Sequence, residues 1–251
     1  MDLKDFFAQY NKIALAFSGG VDSSYLLYAA GAYGADVKAY YVKTAFQPEF
    51  EFQDAIKLAS QVGITPEIIN LDILGFDEIT SNPCNRCYYC KTHIFTSIMK
   101  KASADGYNII IDGTNASDDV NDRPGMRALT ELKVLSPLRM CGLTKPRIRE
   151  LSHDAGLITA DKPSYSCLAT RIHTDETITA EKLRNVESSE NILFALGFSD
   201  FRVRVSGNNA LLQFTSDELQ RANQLLRELK DKLSGYFSAV EIDAQPRRKG
   251  L

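Results

Sequence analysis

Histidine is scarce in this chain of 251 residues: it occurs three times, at no spacing that would gather metal ligands. Long apolar runs are absent, so nothing reads as a membrane span. The amino-terminal MDLKDFFAQYNKIALAF carries acids where a signal peptide would carry an apolar core. A cytoplasmic protein with no membrane partner is expected, in which cysteines stay reduced and act as thiols, metal ligands or catalytic groups. Positive charge is not in excess either, with 29 Lys and Arg against 32 Asp and Glu, a net charge of −3 and a pI near 5.7. That speaks against a broad nucleic-acid surface and leaves room for a local basic patch. Repeats and low-complexity tracts are missing too. What remains is an ordinary globular mixture, 44% hydrophobic and 24% charged, long enough to bury a core without disulfides.

The apolar run KIALAF from Lys12 is broken by SGGVDSS, and a helical pattern follows from Val21 to about Ala32. DVKAYYVKT (36–44) and TPEIINL (65–71) read as buried strands on either side of a helix in EFQDAIKLASQVG. A further helix starts near Arg86 and runs through IFTSIMKKAS, and NIIIDGTN (108–115) is a strand ending in a turn at Gly113. Strands alternating with helices predict an α/β fold: a doubly wound, mainly parallel sheet, with ligands bound outside the carboxyl ends of its strands. The pattern changes after about residue 160. An amphipathic helix at 180–196, two alternating strands about a Gly-Asn turn in FRVRVSGNNALLQF, one long helix capped by Ser216, and the strand SAVEIDAQ make a small α+β domain. The expected division is 1–165 and 166–251.

Ser18-Gly19-Gly20-Val21-Asp22-Ser23-Ser24 lies between a predicted strand and a predicted helix. Two glycines let backbone N–H groups converge on an anion, the helix adds the positive end of its dipole, and the hydroxyls of Ser23 and Ser24 add donors. Asp22 suits Mg²⁺ held against phosphates. No lysine occupies the loop, so it is not the GxxxxGK[ST] loop of the γ-phosphate transferases. It resembles the SGGxDS loop of the N-type ATP pyrophosphatases, the PP-loop superfamily. That resemblance implies an adenine nucleotide α-hydrolase-like domain that adenylates a substrate oxygen and releases pyrophosphate. By position in the superfamily, Val42 to Thr44 would present backbone groups to adenine. In DGTNASDDVNDRPG (112–125), Asp118 and Arg123 are the candidates for phosphate and Mg²⁺.

Three of the five cysteines, Cys84, Cys87 and Cys90, form C-x₂-C-x₂-C at the start of a helix. Three thiolates leave a tetrahedral zinc or a cubane cluster one ligand short; four close a structural site, and three leave a vertex open for chemistry. Cys141, in LRMCGLTK, sits at the end of an apolar strand and reads as an inert buried thiol. Cys167 lies in the polar loop SYSCLATR beside Arg171, where a neighbouring cation favours thiolate. Arg202 and Arg204 alternate on a predicted strand, so both project to one face, as suits the phosphate of a mononucleotide; a basic solvent-facing strand is the alternative.

SGGVDSS, NRCYYCK, DGTNASDDVNDRPG, PSYSCLATRI and FRVRV occur in the order seen in the LarE family, and the resemblance spans about residues 10–245. It implies an enzyme that uses ATP to adenylate a carboxylate of pyridinium-3,5-biscarboxylic acid mononucleotide and then replaces AMP with sulfur, in nickel-pincer cofactor synthesis. One branch of that family sacrifices the sulfur of a single cysteine, which aligns with Cys167. Another carries three cysteines, here Cys87, Cys90 and Cys167, around a [4Fe–4S] cluster whose open iron takes a sulfide. The second pattern matches, with Cys84 left as a possible fourth ligand of a structural Zn²⁺. The resemblance also places Glu190, Arg202 and Arg204 in a substrate pocket, puts Gln213 where the sacrificial branch has an acid, and brings Lys91 within reach of ATP or substrate. It implies a homo-oligomer, a trimer or hexamer, and a sulfide or other sulfur donor.

Other PP-loop enzymes compete with this reading. A tRNA thiolase would call for a basic face and an added RNA-binding domain, and an amidotransferase for a source of ammonia; the residues show neither. A nucleotide sensor with a structural metal knot is the non-enzymatic alternative.

Overall fold

The computed structural model describes residues 1–118 and 124–248. Arg123, one of the phosphate candidates, lies outside them. The chain forms two compact units, Met1–Ile73 with Asn85–Lys162, and Leu74–Cys84 with Pro163–Leu251.

In the first unit the chain runs α1 (Leu3–Gln9), β1 (Lys12–Ala16), α2 (Val21–Ala32), β2 (Asp36–Lys43), α3 (Glu49–Gln61) and β3 (Glu67–Asn70). After α4 (Asp77–Thr80), which belongs to the second unit, come α5 (Arg86–Ala104), β4 (Ile110–Ile111), α6 (Pro124–Glu131), α7 (Pro137–Met140) and α8 (Lys145–Asp154). The sheet is parallel, in the order β3-β2-β1-β4. Its strands read as continuous apolar runs because both faces are covered. Ile13, Leu15, Ala39 and Tyr41 point into one core with α1, α2 and α3, while Ala14, Tyr40, Val42 and Ile110 point into the other with α5 and α6. Sequence order reverses between β1 and β4, which opens a crevice at the carboxyl ends of those two strands.

Cys141 does not end a strand. Pro137, favourable in a helix's first turn, starts α7, and Cys141 follows it half-buried, its thiol pushed up by burial.

The second unit carries α9 (Ala180–Ala195), β5 (Phe201–Ser206), β6 (Asn209–Phe214), α10 (Ser216–Gln224), α11 (Leu226–Leu233) and β7 (Ala239–Ile242). β5 pairs antiparallel with β6, and β6 pairs parallel with β7. Phe201, Val203, Val205, Leu212 and Phe214 are buried on one side of this sheet. The single long helix expected after residue 215 breaks at Leu225 (φ −95°, ψ 7°). The break lets α10 pack on β6 and α11 on β7. Thr215, not Ser216, takes the cap position, and Ser216 is the first helical residue.

Residues 74–84, which the sequence reading left in its first domain, cluster with the C-terminal residues. Asn82 explains why. It holds a left-handed conformation (φ 56°) that asparagine tolerates, and its amide donates to the carbonyls of Ile172 (3.3 Å) and His173 (2.8 Å). In return the Asp175 amide donates to the Asn82 carbonyl at 2.9 Å, and the Ile178 amide to that of Thr80 at 2.8 Å. No helix among the described residues is long and apolar enough to cross a membrane.

Candidate functional site

The turn after β1 is held open by its own hydroxyls. Ser18 Oγ and Ser23 Oγ lie 3.1 Å apart, Ser23 Oγ donates to the Gly20 carbonyl at 3.2 Å, and the Gly20 amide reaches Ser18 Oγ at 3.4 Å. Gly19 sits at φ +74° with its α-carbon against α3, where an added Cβ would lie 2.5 Å from the Cβ of Ala55. Gly113 closes the other side of the crevice, and a Cβ there would come within 2.9 Å of the Ser23 amide nitrogen. Gly19→Ala is therefore expected to cost more than Gly34→Ala. Both positions have positive φ, but Gly34 faces open space. The shared backbone penalty is about 1–2 kcal/mol, and the clash at Gly19 adds about 1–3 kcal/mol. Urea midpoints of the two variants measure the difference, and equal midpoints would refute the close approach.

A cavity of about 340 Å³ opens over these turns. Ser18, Gly20, Asp22, Ser23, Gly113 and Asp118 line its polar end, and Val42, Lys91, Ile94, Phe95 and Met126 the rest. Asp22 is its electrostatic centre. Oδ2 accepts from Lys145 Nζ at 2.6 Å, while Oδ1 is buried with no hydrogen-bond partner among the described residues. Burial raises the Asp22 pKa above the ordinary carboxylate value, Lys145 opposes that rise, and the charge of Asp118 adds to it. Asp118 accepts from the Asn115 amide at 3.0 Å. The Asp112 carboxylate is held by the hydroxyls of Thr114 and Ser136. Ser24 is fully buried away from the cavity, its Oγ unpartnered. Thr44 turns to Gln47, donating to Gln47 Oε1 from its amide (3.0 Å) and its hydroxyl (2.7 Å), and it is Gln47 that lines the cavity. Sequence reading missed Lys145, Asp112 and Gln47; Lys145 stands first in α8, 123 residues from its partner.

Cys87 and Cys90 stand three apart in the first turns of α5, so they share a face of the helix. Cys87 is exposed, with Arg86 Nη2 at 3.8 Å from its sulfur, and Cys90 is half-buried. Cys84 is exposed and falls in the second unit. Among the described residues, no three His, Cys, Asp or Glu side chains are gathered to hold a metal ion.

In the second unit, half-buried Cys167 precedes a 3₁₀ turn at Leu168–Arg171, and its carbonyl accepts from the Thr170 amide (3.0 Å) and hydroxyl (2.7 Å). Its charge bears on Arg171. Arg171 and Glu190 are each 1% exposed and paired, Nε to Oε1, at 2.9 Å. Glu190 also accepts from the Val203 amide at 3.1 Å and from the Tyr165 hydroxyl, so it is a buried anchor on its acidic helix. The Tyr165 ring lies under Arg171 and Arg202, with guanidinium carbons 4.6 and 5.4 Å from its centre. Arg202 is buried, with Nη1 3.8 Å from Asp200 Oδ1, while Arg204 is exposed and donates to Gln213 at 3.0 Å. Gln213 in turn donates to Asp243 at 2.8 Å. Burial, and then the charge of Arg171, push the Arg202 guanidinium below its ordinary value. Arg171 pairs with Glu190, and Arg202 and Arg247 both face Asp200. A cavity of about 580 Å³ runs beside Arg171, past His173, Arg204, Ser206 and Glu241.

No known family profile matches the chain. It is 34% identical over 255 residues to the protein slr1717 of Synechocystis sp., covering 99% of this chain and 94% of that one. It is 29% identical over 248 residues to the pyridinium-3,5-bisthiocarboxylic acid mononucleotide synthase of Lactiplantibacillus plantarum, covering 95% and 88%. The tRNA-specific 2-thiouridylase MnmA of Clostridium acetobutylicum is 27% identical over 189 residues, covering 60% of this chain and 53% of its own. With the Ser18–Ser24 turn at the reversal point of a parallel sheet and relatives along nearly its whole length, the chain belongs to the family of slr1717, within the PP-loop superfamily.

Proposed function

We propose that the chain is an ATP-dependent sulfur transferase that adenylates a substrate carboxylate, releases pyrophosphate and installs sulfur at the activated carbon. The acid is pyridinium-3,5-biscarboxylic acid mononucleotide, by similarity to the Lactiplantibacillus synthase, in nickel-pincer cofactor synthesis. The observation that carries the reading is the Asp22 carboxylate, one oxygen on Lys145 and the other buried without a hydrogen-bond partner among the described residues, set among glycine turns in one cavity. A buried carboxylate oxygen fits Mg²⁺, which Asp22 would hold and which would supply positive charge to the nucleotide's phosphates.

The loop amides and Ser23 receive the departing pyrophosphate, and Val42, Ile94 and Met126 give adenine an apolar wall. Lys145, and Lys91 across the cavity, neutralise charge on the phosphates. The substrate carboxylate oxygen attacks the α-phosphorus, the α–β bridging bond breaks, and its electron pair leaves with pyrophosphate. A reduced sulfur then attacks the acyl carbon, and AMP departs with the electrons of the broken C–O bond. Arg202 and Arg204, two residues apart on β5, take the mononucleotide's phosphate. Cys87 and Cys90 on one helix face, with Cys167, are the ligands a [4Fe–4S] cluster would take, and such a cluster would supply an iron without a protein ligand to carry sulfide. The proposal includes a homo-oligomer.

Two measurements test it. Pyrophosphate release from Mg-ATP is expected only when the biscarboxylate mononucleotide is present. Anaerobic metal analysis is expected to find about four irons per chain, lost in Cys87→Ala and Cys167→Ala and kept in Cys84→Ala. One zinc, lost in Cys84→Ala and indifferent to Cys167→Ala, would instead make the cysteine run a structural knot.

A further inference from the structure

Residues 156–162 lie along α3 and are gripped at both of its ends. At the C-terminal end, Gln61 donates to the Gly156 carbonyl at 2.7 Å and accepts from the Ile158 amide at 3.2 Å. At the N-terminal end, Lys162 Nζ sits 3.2 Å from Glu51 and 3.1 Å from Asp54. Glu51 and Gln61 are ten residues apart on one helix, or about 15 Å of rise. Arg149 holds the same segment from its other side, donating to the carbonyls of Ala160 (2.5 Å) and Lys162 (2.9 Å).

The Lys162 end of this strap is the end that matters for the chemistry. Ala55, one turn along from Glu51, is the residue against which Gly19 packs. Tyr41, which lines the same cavity, has a buried hydroxyl without a hydrogen-bond partner among the described residues, and beside it Glu51 Oε1 and Lys162 Nζ are buried against each other as an ion pair. On the other side of Pro163 the anchors change. The Ser164 carbonyl accepts from Arg202 at 3.2 Å and that of Ser166 from Arg171 at 3.1 Å. One residue, Pro163, thus separates the last anchor of the first unit from the first anchor of the second. From Lys162 to Cys167 is five residues, a reach of at most about 17 Å.

We propose that Lys162 is a positioning residue for sulfur transfer: clamped by Glu51 and Asp54 to the helix that backs the phosphate turn, it fixes the point from which the Cys167 segment departs. Lys162 touches neither ATP nor sulfur in this role. The inference rests on the sulfur-transferase reading, and it separates the two halves of that reaction. Adenylation is completed by residues lining the cavity, whereas transfer needs the segment beyond Lys162 to be in place.

The test is the ratio of thiolated product to pyrophosphate in Lys162→Met, Lys162→Arg and Glu51→Gln. Lys162→Met is expected to keep pyrophosphate release within a factor of two or so and to lower the ratio about tenfold, the order of loss that misplacing a reacting group entails. Lys162→Arg, which can span both carboxylates, restores the ratio, and Glu51→Gln, which leaves Asp54 in place, gives an intermediate value even if Lys162→Met folds poorly. A lowered melting temperature with an unchanged ratio in the variants that fold overturns the proposal and leaves the clamp a structural ion pair. Hydrogen exchange, which needs no turnover, keeps the result separate from the fate of the reaction assigned above. Faster exchange at the amides of 164–167 in Lys162→Met supports the clamp whether or not wild type releases pyrophosphate, and a change confined to 156–162 refutes it.

Discussion

Cys167→Ala is expected to release pyrophosphate from ATP and substrate at close to the wild-type rate and to make no thiolated product. In the proposed reaction, adenylation would rest on the turns at Ser18–Gly20 and Asp112–Thr114 and on Asp22 and Lys145, all in the first unit. Cys167 belongs to the second, and its carbonyl already has two donors from Thr170, so loss of the sulfur leaves the local backbone in place. As ligand or as sacrificial donor the thiol has no substitute, and product is expected to fall by more than about 10³. Phosphate release and product mass, read on one sample, decide the matter. In Cys141→Ala, which alters a thiol outside both sites, both signals persist. Retained thiolation in Cys167→Ala would remove Cys167 from the chemistry altogether.

Glu190→Ala is expected to be the most destabilising single substitution proposed here. The Arg171 guanidinium is 1% exposed, and Glu190 is the carboxylate that pairs with it. Removing one partner of a buried pair leaves the other charge uncompensated, at a cost of about 3–5 kcal/mol. In a chain of this size that lowers the melting temperature by about 10 °C. The Val203 amide and the Tyr165 hydroxyl lose their acceptor as well. Glu190→Gln keeps an oxygen for them and should fall between the two. A solvated Glu190, as its acidic helix suggested, would give an alanine variant that melts with wild type, and calorimetry distinguishes the cases.

The parallel sheet and the glycine turn after β1 were legible because their signals are contiguous. An apolar run, two glycines and a helix start fall within a dozen residues, and the physics that makes them is local. Lys145 was not legible, since a lone lysine at a helix start has no spacing to announce that it will meet Asp22. Glu190 could be placed only by resemblance, because its helix looks solvated until the buried arginine beside it is known. The break at Leu225 was hidden for a related reason: both halves have good helical periodicity, and only the need to cover two different strands separates them. Residues 74–84 carry polar turn chemistry whose partners lie some 90 residues on, beyond what any local pattern encodes.

That excursion bears on how the molecule can be divided. The chain passes from one unit to the other at Ile73, returns at Cys84 and leaves again at Lys162. The second unit is therefore discontinuous in the gene, and a fragment starting at Pro163 lacks Asn82, the residue that satisfies the carbonyls of Ile172 and His173. A cut at Pro163 would sever the covalent path to Cys167 while the loop at 74–84 still tied the pieces together. The two units have to be made, inherited and recombined as one.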